Sequence, residues 1–235
     1  MRYAVPIGRR GTRGACRPRS PPLPAPLTLY VDARFRSPYA MSAHVALAEK
    51  QLEFEVRLVD LAAGEQRMQP YQSRALTARV PALAHAGFHL TESSAIQEYL
   101  EDAFAPPAHP ALYPAGAQAR ARARQVQAWL RTDLAALRRA RPIDSVFDAP
   151  ATTPLDDAAH CDAAKLIRVA EALLPPGQAH LFGAWSIVDT ELALALNRLA
   201  HSGDDLPAPL RDYAAAQWQR ASVQAWLRHY EAARG

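Results

Sequence analysis

Apolar and polar positions along this chain change period twice, and each change marks a different kind of element. Leu27, Leu29 and Val31 alternate with Thr28 and Tyr30, the period of a strand. From Pro38 to Lys50 the spacing turns helical, with Pro38 suited to a first helical position. Phe54, Val56 and Leu58 alternate with Glu53, Glu55 and Arg57, which predicts a second strand. A polar, irregular stretch runs from Ala63 to Thr77. Val80-Pro81 then opens an extended segment, because proline turns the residue before it away from helix. Ala86-Gly87 separates two brief apolar strands as a turn, and a helix follows from Ser93 to about Phe104. The order is β-α-β-(α)-β-β-α. One crossover followed by a hairpin predicts a small mixed sheet with helices on its faces.

Prolines between Pro106 and Pro114 make residues 105–115 a linker. Beyond it every periodic segment is helical. Helices are expected over 116–141, 155–174 and 186–200, with a closing pair between 208 and 233. Pro142, Pro154, Pro175-Pro176 and Pro207 separate them. No internal repeat is found. The expected fold is α+β: an α/β unit over 27–104, then an all-helical unit over 116–235.

Composition changes the picture mainly at the N-terminus. Residues 1–26 are rich in Arg, Pro and Gly and carry no apolar period. Neither the apolar stretch of a secretory signal nor the amphipathic helix of a transit peptide fits them, so a disordered basic tail or an over-extended start is expected. Six arginines there (Arg2, Arg9, Arg10, Arg13, Arg17 and Arg19) carry +6, so the overall formal charge of +4 leaves −2 for the rest. Without basic residues gathered on the folded part, no nucleic-acid partner is expected. No apolar run reaches the length of a membrane span. Cys16 and Cys161 make neither a disulfide framework nor a metal-ligand spacing, which predicts a reducing, cytoplasmic setting. The histidines are scattered, and no P-loop or dinucleotide fingerprint is present, so no metal or nucleotide cofactor is expected.

Candidate chemistry sits at two helix starts. Ser37 lies where the first strand gives way to the first helix. Its hydroxyl serves there either as an N-cap or as a donor beside the positive helix end. Thr91-Glu92-Ser93-Ser94 precedes the helix that begins at Ser93. The bland role is a cap with a favourable first-turn acid. The chemical one has Glu92 accept a ligand ammonium while Ser93 holds a carboxylate, which together suit an α-amino-acid end. Ser186-Ile187-Val188-Asp189 is a capping-box pattern with Asp in place of Glu, a structural feature. The four tryptophans are expected in the core or at helix contacts.

Four short motifs, in this order, resemble the glutathione S-transferase family, and among its members the serine-type YfcF-like bacterial ones near the tau, zeta and theta classes. They are S-P-Y at 37–39, R-V-P-A-L at 79–83, E-S-S-A-I at 92–96 and S-I-V-D at 186–189. The resemblance covers about residues 27–233. It implies a thioredoxin-like N-terminal domain that holds glutathione and an all-α domain that walls a second-substrate pocket. It also implies that Ser37 donates to the glutathione sulfur and that Pro81 is cis, freeing Val80 to pair with the cysteinyl backbone. Glu92 and Ser93 would hold the γ-glutamyl end and Arg79 the glycyl carboxylate. The second-substrate pocket would be lined from Phe35, Tyr39 and the helix carrying Trp129. The implied partners are glutathione as co-substrate, a small electrophile and a second copy in a homodimer. The implied activity is conjugation, with glutathione-dependent peroxide reduction besides; the alternative is a non-catalytic binding or regulatory protein on the same scaffold. Two departures stand out: Ser42 replaces the arginine that serine-type relatives usually carry, and Thr190 replaces an apolar residue after the capping box.

Overall fold

The computed structural model describes residues 26–235. The tail expected over residues 1–26, Cys16 included, lies outside the described residues apart from Pro26. Four strands form one sheet in the order β2-β1-β3-β4: β1 (Leu27–Asp32), β2 (Phe54–Val59), β3 (Ala82–His85) and β4 (Phe88–Thr91). Strand β1 is parallel to β2 and antiparallel to β3, and β3 and β4 are antiparallel. The chain crosses from β1 to β2 through α1 (Pro38–Glu49), and α2 (Ser93–Ala103) follows β4. This is a thioredoxin-like sheet, as expected. Ala86 and Gly87 both take positive φ (50° and 81°), the geometry of a two-residue hairpin turn.

Both faces of β1 are covered. Leu27, Leu29 and Val31 point into the main core, while Tyr30 packs with Val59, Tyr71, Ala75 and Ala82 in a small second cluster. The segment covering that second face was expected to be irregular, with a helix only bracketed. It forms a single 3₁₀ turn at Glu65–Arg67, held between Gly64 and Pro70, and anchors itself through Tyr71 and Ala75. Strand β2 departs from its expected alternation at its end, where Leu58 is half exposed and Val59 is buried instead.

The rest is helical: α3 (Ala117–Thr132), α4 (Ala135–Ala140), α5 (Asp144–Phe147), α6 (Asp157–Leu173), α7 (Ile187–Ser202), α8 (Ala208–Trp218) and α9 (Ala221–Ala232). The helix expected over 116–141 is broken at Asp133-Leu134. The Asp133 carboxylate accepts from its neighbour's N–H at 2.8 Å, from Trp129 Nε1 at 2.9 Å and from Lys165, and Leu134 turns left-handed (φ 60°). A side chain that captures local N–H groups competes with the helix ladder. The box at Ser186 forms, with the Ser186 N–H donating to Asp189 at 2.8 Å. Asp189 also accepts from the Leu181 N–H and the Tyr213 hydroxyl, so the cap ties α7 to α8. Among the described residues no helix is long and apolar enough to cross a membrane.

Helix α1 is buried nearly all round, from Ala40 to Leu47, against the sheet, α2, α7 and α9. Its end is fastened by Lys50, fully buried, whose ammonium contacts Glu101 at 2.6 Å and the Phe104 carbonyl at 2.8 Å. Glu101 also pairs with Arg120 and accepts the Leu112 N–H, so a single carboxylate joins α2, α3 and the 105–115 stretch.

His44 on α1 is 3% exposed between Phe54, Trp226 and His229, and its Nδ1 has no hydrogen-bond partner among the described residues. Burial pushes its pKa down to about 4, with the nearby His229 acting in the same direction. The folded chain therefore binds fewer protons than the unfolded chain between about pH 4 and 6.5. This contribution is fully present above 6.5 and is lost as pH falls toward 4, by up to about 3 kcal/mol. Urea midpoints at pH 7 and pH 5 should show that loss, and His44→Leu should flatten it. A variant with the wild-type slope would assign the slope to other groups.

Candidate active site

The turn from β1 into α1 is built on one buried carboxylate. Asp32, 5% exposed, accepts the Arg36 N–H at 2.7 Å and the Ser37 N–H at 3.0 Å. Ser37 is the N-cap of α1, its Oγ accepting the Ala40 N–H at 3.2 Å. That bond uses a lone pair, so the hydroxyl proton remains to be donated elsewhere. Cap and donor are thus compatible roles for one side chain.

Across a cleft of about 700 Å³ lies the entry to β3. The Val80-Pro81 bond is cis. The Val80 N–H and C=O take part in no backbone hydrogen bond among the described residues. Tyr71 supports this edge by donating its hydroxyl to the Arg79 carbonyl at 2.7 Å. Arg79 itself is exposed and forms no ion pair among the described residues.

The third wall is the start of α2. Glu92 is exposed, with φ 71° and ψ 116°, a backbone region that L residues rarely occupy. Such strain is held in place only by surrounding structure and gathers at ligand clamps. Its side chain makes no cap hydrogen bond, which removes the bland role considered for it. Ser93 is 4% exposed, and its Oγ accepts from Arg131 at 3.2 Å.

Ser37, Tyr39, Arg79, Val80, Pro81, Glu92 and Ser93 therefore all border one cleft. Phe35 and Trp129, expected on the second-substrate wall, line neither this cleft nor the smaller pocket beside it. Phe35 is 6% exposed, with its ring 5.0 Å from both Trp226 and His229. Trp129 donates to Asp133 on the far side of α3, since one residue turns a helix by about 100°. Its neighbours Leu130 and Arg131 take the pocket side instead.

Three parts of the site were not expected from sequence. Asp32 is one, and the pairing of Arg131 with Glu191 of α7 is the second. The Arg131 guanidinium donates to both Glu191 oxygens, at 2.7 and 2.8 Å. Ser42, Gln97 and Gln127 also donate to that carboxylate. Burial alone would push Glu191 up and Arg131 down; each reverses the other, so Glu191 is lowered and Arg131 raised. Ser42, noted from the sequence as a departure from the motif, is thus one donor of this network. An acid amid the apolar positions of α7 was the only sequence signal for it. The third is Gln66, which borders the cleft and whose buried Oε1 has no hydrogen-bond partner among the described residues.

A cleft with a serine hydroxyl at one helix start, an open strand edge and an acid-serine pair at a second helix start matches the arrangement implied by the motifs. The Glutathione S-transferase, N-terminal domain, matches residues 25–102, and the Glutathione S-transferase, C-terminal domain, matches residues 116–231. A solved glutathione transferase homolog from Burkholderia GL BGR1, with bound glutathione, is 42% identical over 88% of this chain and 99% of its own, with TM-score 0.75. The chain belongs to the glutathione S-transferase family. Among curated members of this family of transferases, a probable glutathione S-transferase from rice (Oryza sativa subsp. japonica) is 41% identical over 33% of this chain and 32% of its own length. Human glutathione S-transferase theta-1 is 34% identical over 46% of this chain and 43% of its own. The chain thus spans less than half the length of the curated relatives it matches.

Proposed function

We propose that this chain is a glutathione transferase, in which glutathione thiolate attacks a small electrophile. The thiol gives its proton to solvent and the sulfur forms a new bond to the electrophilic carbon. The displaced electron pair enters a conjugated system or departs with a leaving group. Ser37 donates to the sulfur and favours thiolate over thiol. Val80 pairs with the cysteinyl backbone as an added strand, Glu92 and Ser93 hold the γ-glutamyl end, and Arg79 takes the glycyl carboxylate. Residues 27–104 form the glutathione-holding domain, 105–115 the connection and 116–235 the helical domain. Leu112 and Tyr113 in the connection are themselves buried. A cytoplasmic homodimer is the assembly this reading implies.

The observation that carries the proposal is the convergence of these side chains on one cleft whose volume suits a tripeptide. The free edge at Val80 and the unpartnered Gln66 oxygen are further groups that a peptide ligand would satisfy.

Calorimetry with reduced glutathione tests the peptide-holding half. Glu92→Ala and Ser93→Ala are each expected to weaken binding by about 10- to 100-fold, the scale of a lost hydrogen bond to a charged group. Unchanged affinity in both would overturn the assigned roles. Tight binding without turnover of any electrophile in a broad panel would make the chain a binding protein instead.

A further inference from the structure

Beside the cleft, and sharing Tyr39 and Arg131 with it as walls, a narrow pocket of about 60 Å³ runs between α1, the α3–α4 junction and α7. Its lining is mostly aliphatic, with Leu130, Leu134, Leu137 and Leu194. Three arginines nevertheless line it, Arg131, Arg138 and Arg198, against one carboxylate residue, Glu191. Glu191 is already engaged by both forks of Arg131. Arg138 donates only to the Leu130 and Arg131 carbonyls, at 3.1 and 2.9 Å. Arg198 is 7% exposed and donates one N–H to the Arg141 carbonyl at 2.5 Å. Neither Arg138 nor Arg198 meets a carboxylate among the described residues.

Arg198 is unusual among the described residues. The other deeply buried cations are matched: Arg141 by Asp204 at 2.6 Å and Lys50 by Glu101 at 2.6 Å. A buried guanidinium without a counter-charge is costly, and an anion that enters the pocket relieves the cost. Burial pushes Arg198 down to about 10, with Arg138 acting in the same direction and Tyr39 opposing them, which leaves it charged at neutral pH. Its planar fork suits a carboxylate held by two parallel hydrogen bonds. The pocket is too small for a whole ligand beside glutathione, but it has room for an acidic end. Tyr39 and Arg131 wall both this pocket and the cleft that Ser37 borders, so the rest of an acid seated here has the cleft beside it.

We infer that the electrophile this chain takes carries an anionic group, a carboxylate or its equivalent, docked on Arg198 and Arg138. The inference rests on the glutathione-transferase reading for its catalytic half and on the pocket alone for its binding half.

A matched pair of conjugate acceptors tests it: 3-benzoylacrylate and its primary amide. In each, the glutathione sulfur bonds to an alkene carbon and the π pair moves onto the ketone oxygen as an enolate. The enolate carbon then takes a proton from water, and nothing is released. After division by the uncatalysed rates, kcat/KM for the acid should exceed that for the amide by about tenfold or more. Arg198→Gln should bring that ratio close to one, as should Arg138→Gln to a smaller degree. A wild-type ratio at or below one overturns the inference, whatever the variants do. If Arg198→Gln does not fold by circular dichroism, Arg138→Gln and the wild-type ratio decide. Calorimetry with the unreactive 3-benzoylpropionate and its amide separates the two halves. A preference for the acid without turnover of either acceptor or of any electrophile in the broad panel supports the anion pocket and overturns the transferase reading. Turnover without any preference does the reverse.

Discussion

Ser37→Ala is expected to lower kcat/KM at pH 7 by roughly 25-fold while glutathione affinity stays within about twofold. A free thiol with pKa about 8.5 is some 3% ionised at pH 7, whereas one lowered by about two units is mostly ionised. Two units correspond to about 2.7 kcal/mol. A hydrogen bond to a charged group supplies about 1.5–3 kcal/mol, and the helix end behind it adds up to about 2. Ser37 at the head of α1 is therefore sufficient without a metal or a general base. The loss should shrink toward nothing near pH 9, where the thiol ionises unaided, and that pH profile separates lost activation from general damage. Ser37 also caps α1, so the variant should lose about 1 kcal/mol of stability. Ser37→Thr keeps hydroxyl and cap together and should recover both properties. A Ser37→Ala enzyme with the wild-type pH profile would rule out the assigned role.

Glu191→Leu should have the larger effect on stability, a loss of about 3–5 kcal/mol, because it strands the Arg131 guanidinium inside the molecule. Both partners are largely buried, at 10% and 18% side-chain exposure. For a chain of this size the melting temperature should fall by about 10 °C. Glutathione binding should weaken as well, since Arg131 is also what holds the Ser93 hydroxyl. Combining Glu191→Leu with Arg131→Met removes the stranded charge and should restore most of the stability. It cannot restore the donor to Ser93, so binding should stay weak. If binding returned with stability, the network would have no part in positioning Ser93.

What was legible in the sequence was local. Alternation in Leu27–Val31, the turn at Ala86-Gly87 and the S-x-x-D box at Ser186 each depend on a few neighbouring residues, and each formed where expected. The helix expected over 116–141 was half right. Its apolar period runs on through Leu134 and Leu137, and only the capture of local N–H groups by Asp133 interrupts it. Phe35 and Trp129 misled for a different reason: a position on a helix or turn fixes a side chain's direction only once the partners are known. Phe35 found Trp226 and His229, some 190 residues further along the chain.

By itself the sequence determined the α+β fold class, the succession of one crossover and a hairpin along the chain, and the motifs at Ser37, Val80-Pro81 and Glu92-Ser93. These are short-range matters of period, capping and backbone preference, carried within windows of a few residues. Tertiary structure alone decided which charges meet. Glu191 between Arg131 and Ser42, and Glu101 around Lys50, join residues far apart in sequence. Such a pairing is selected only when packing has removed the water that would otherwise satisfy each partner. The same exclusion of water left Arg198 and Arg138 lining a narrow apolar pocket with no carboxylate to meet them among the described residues.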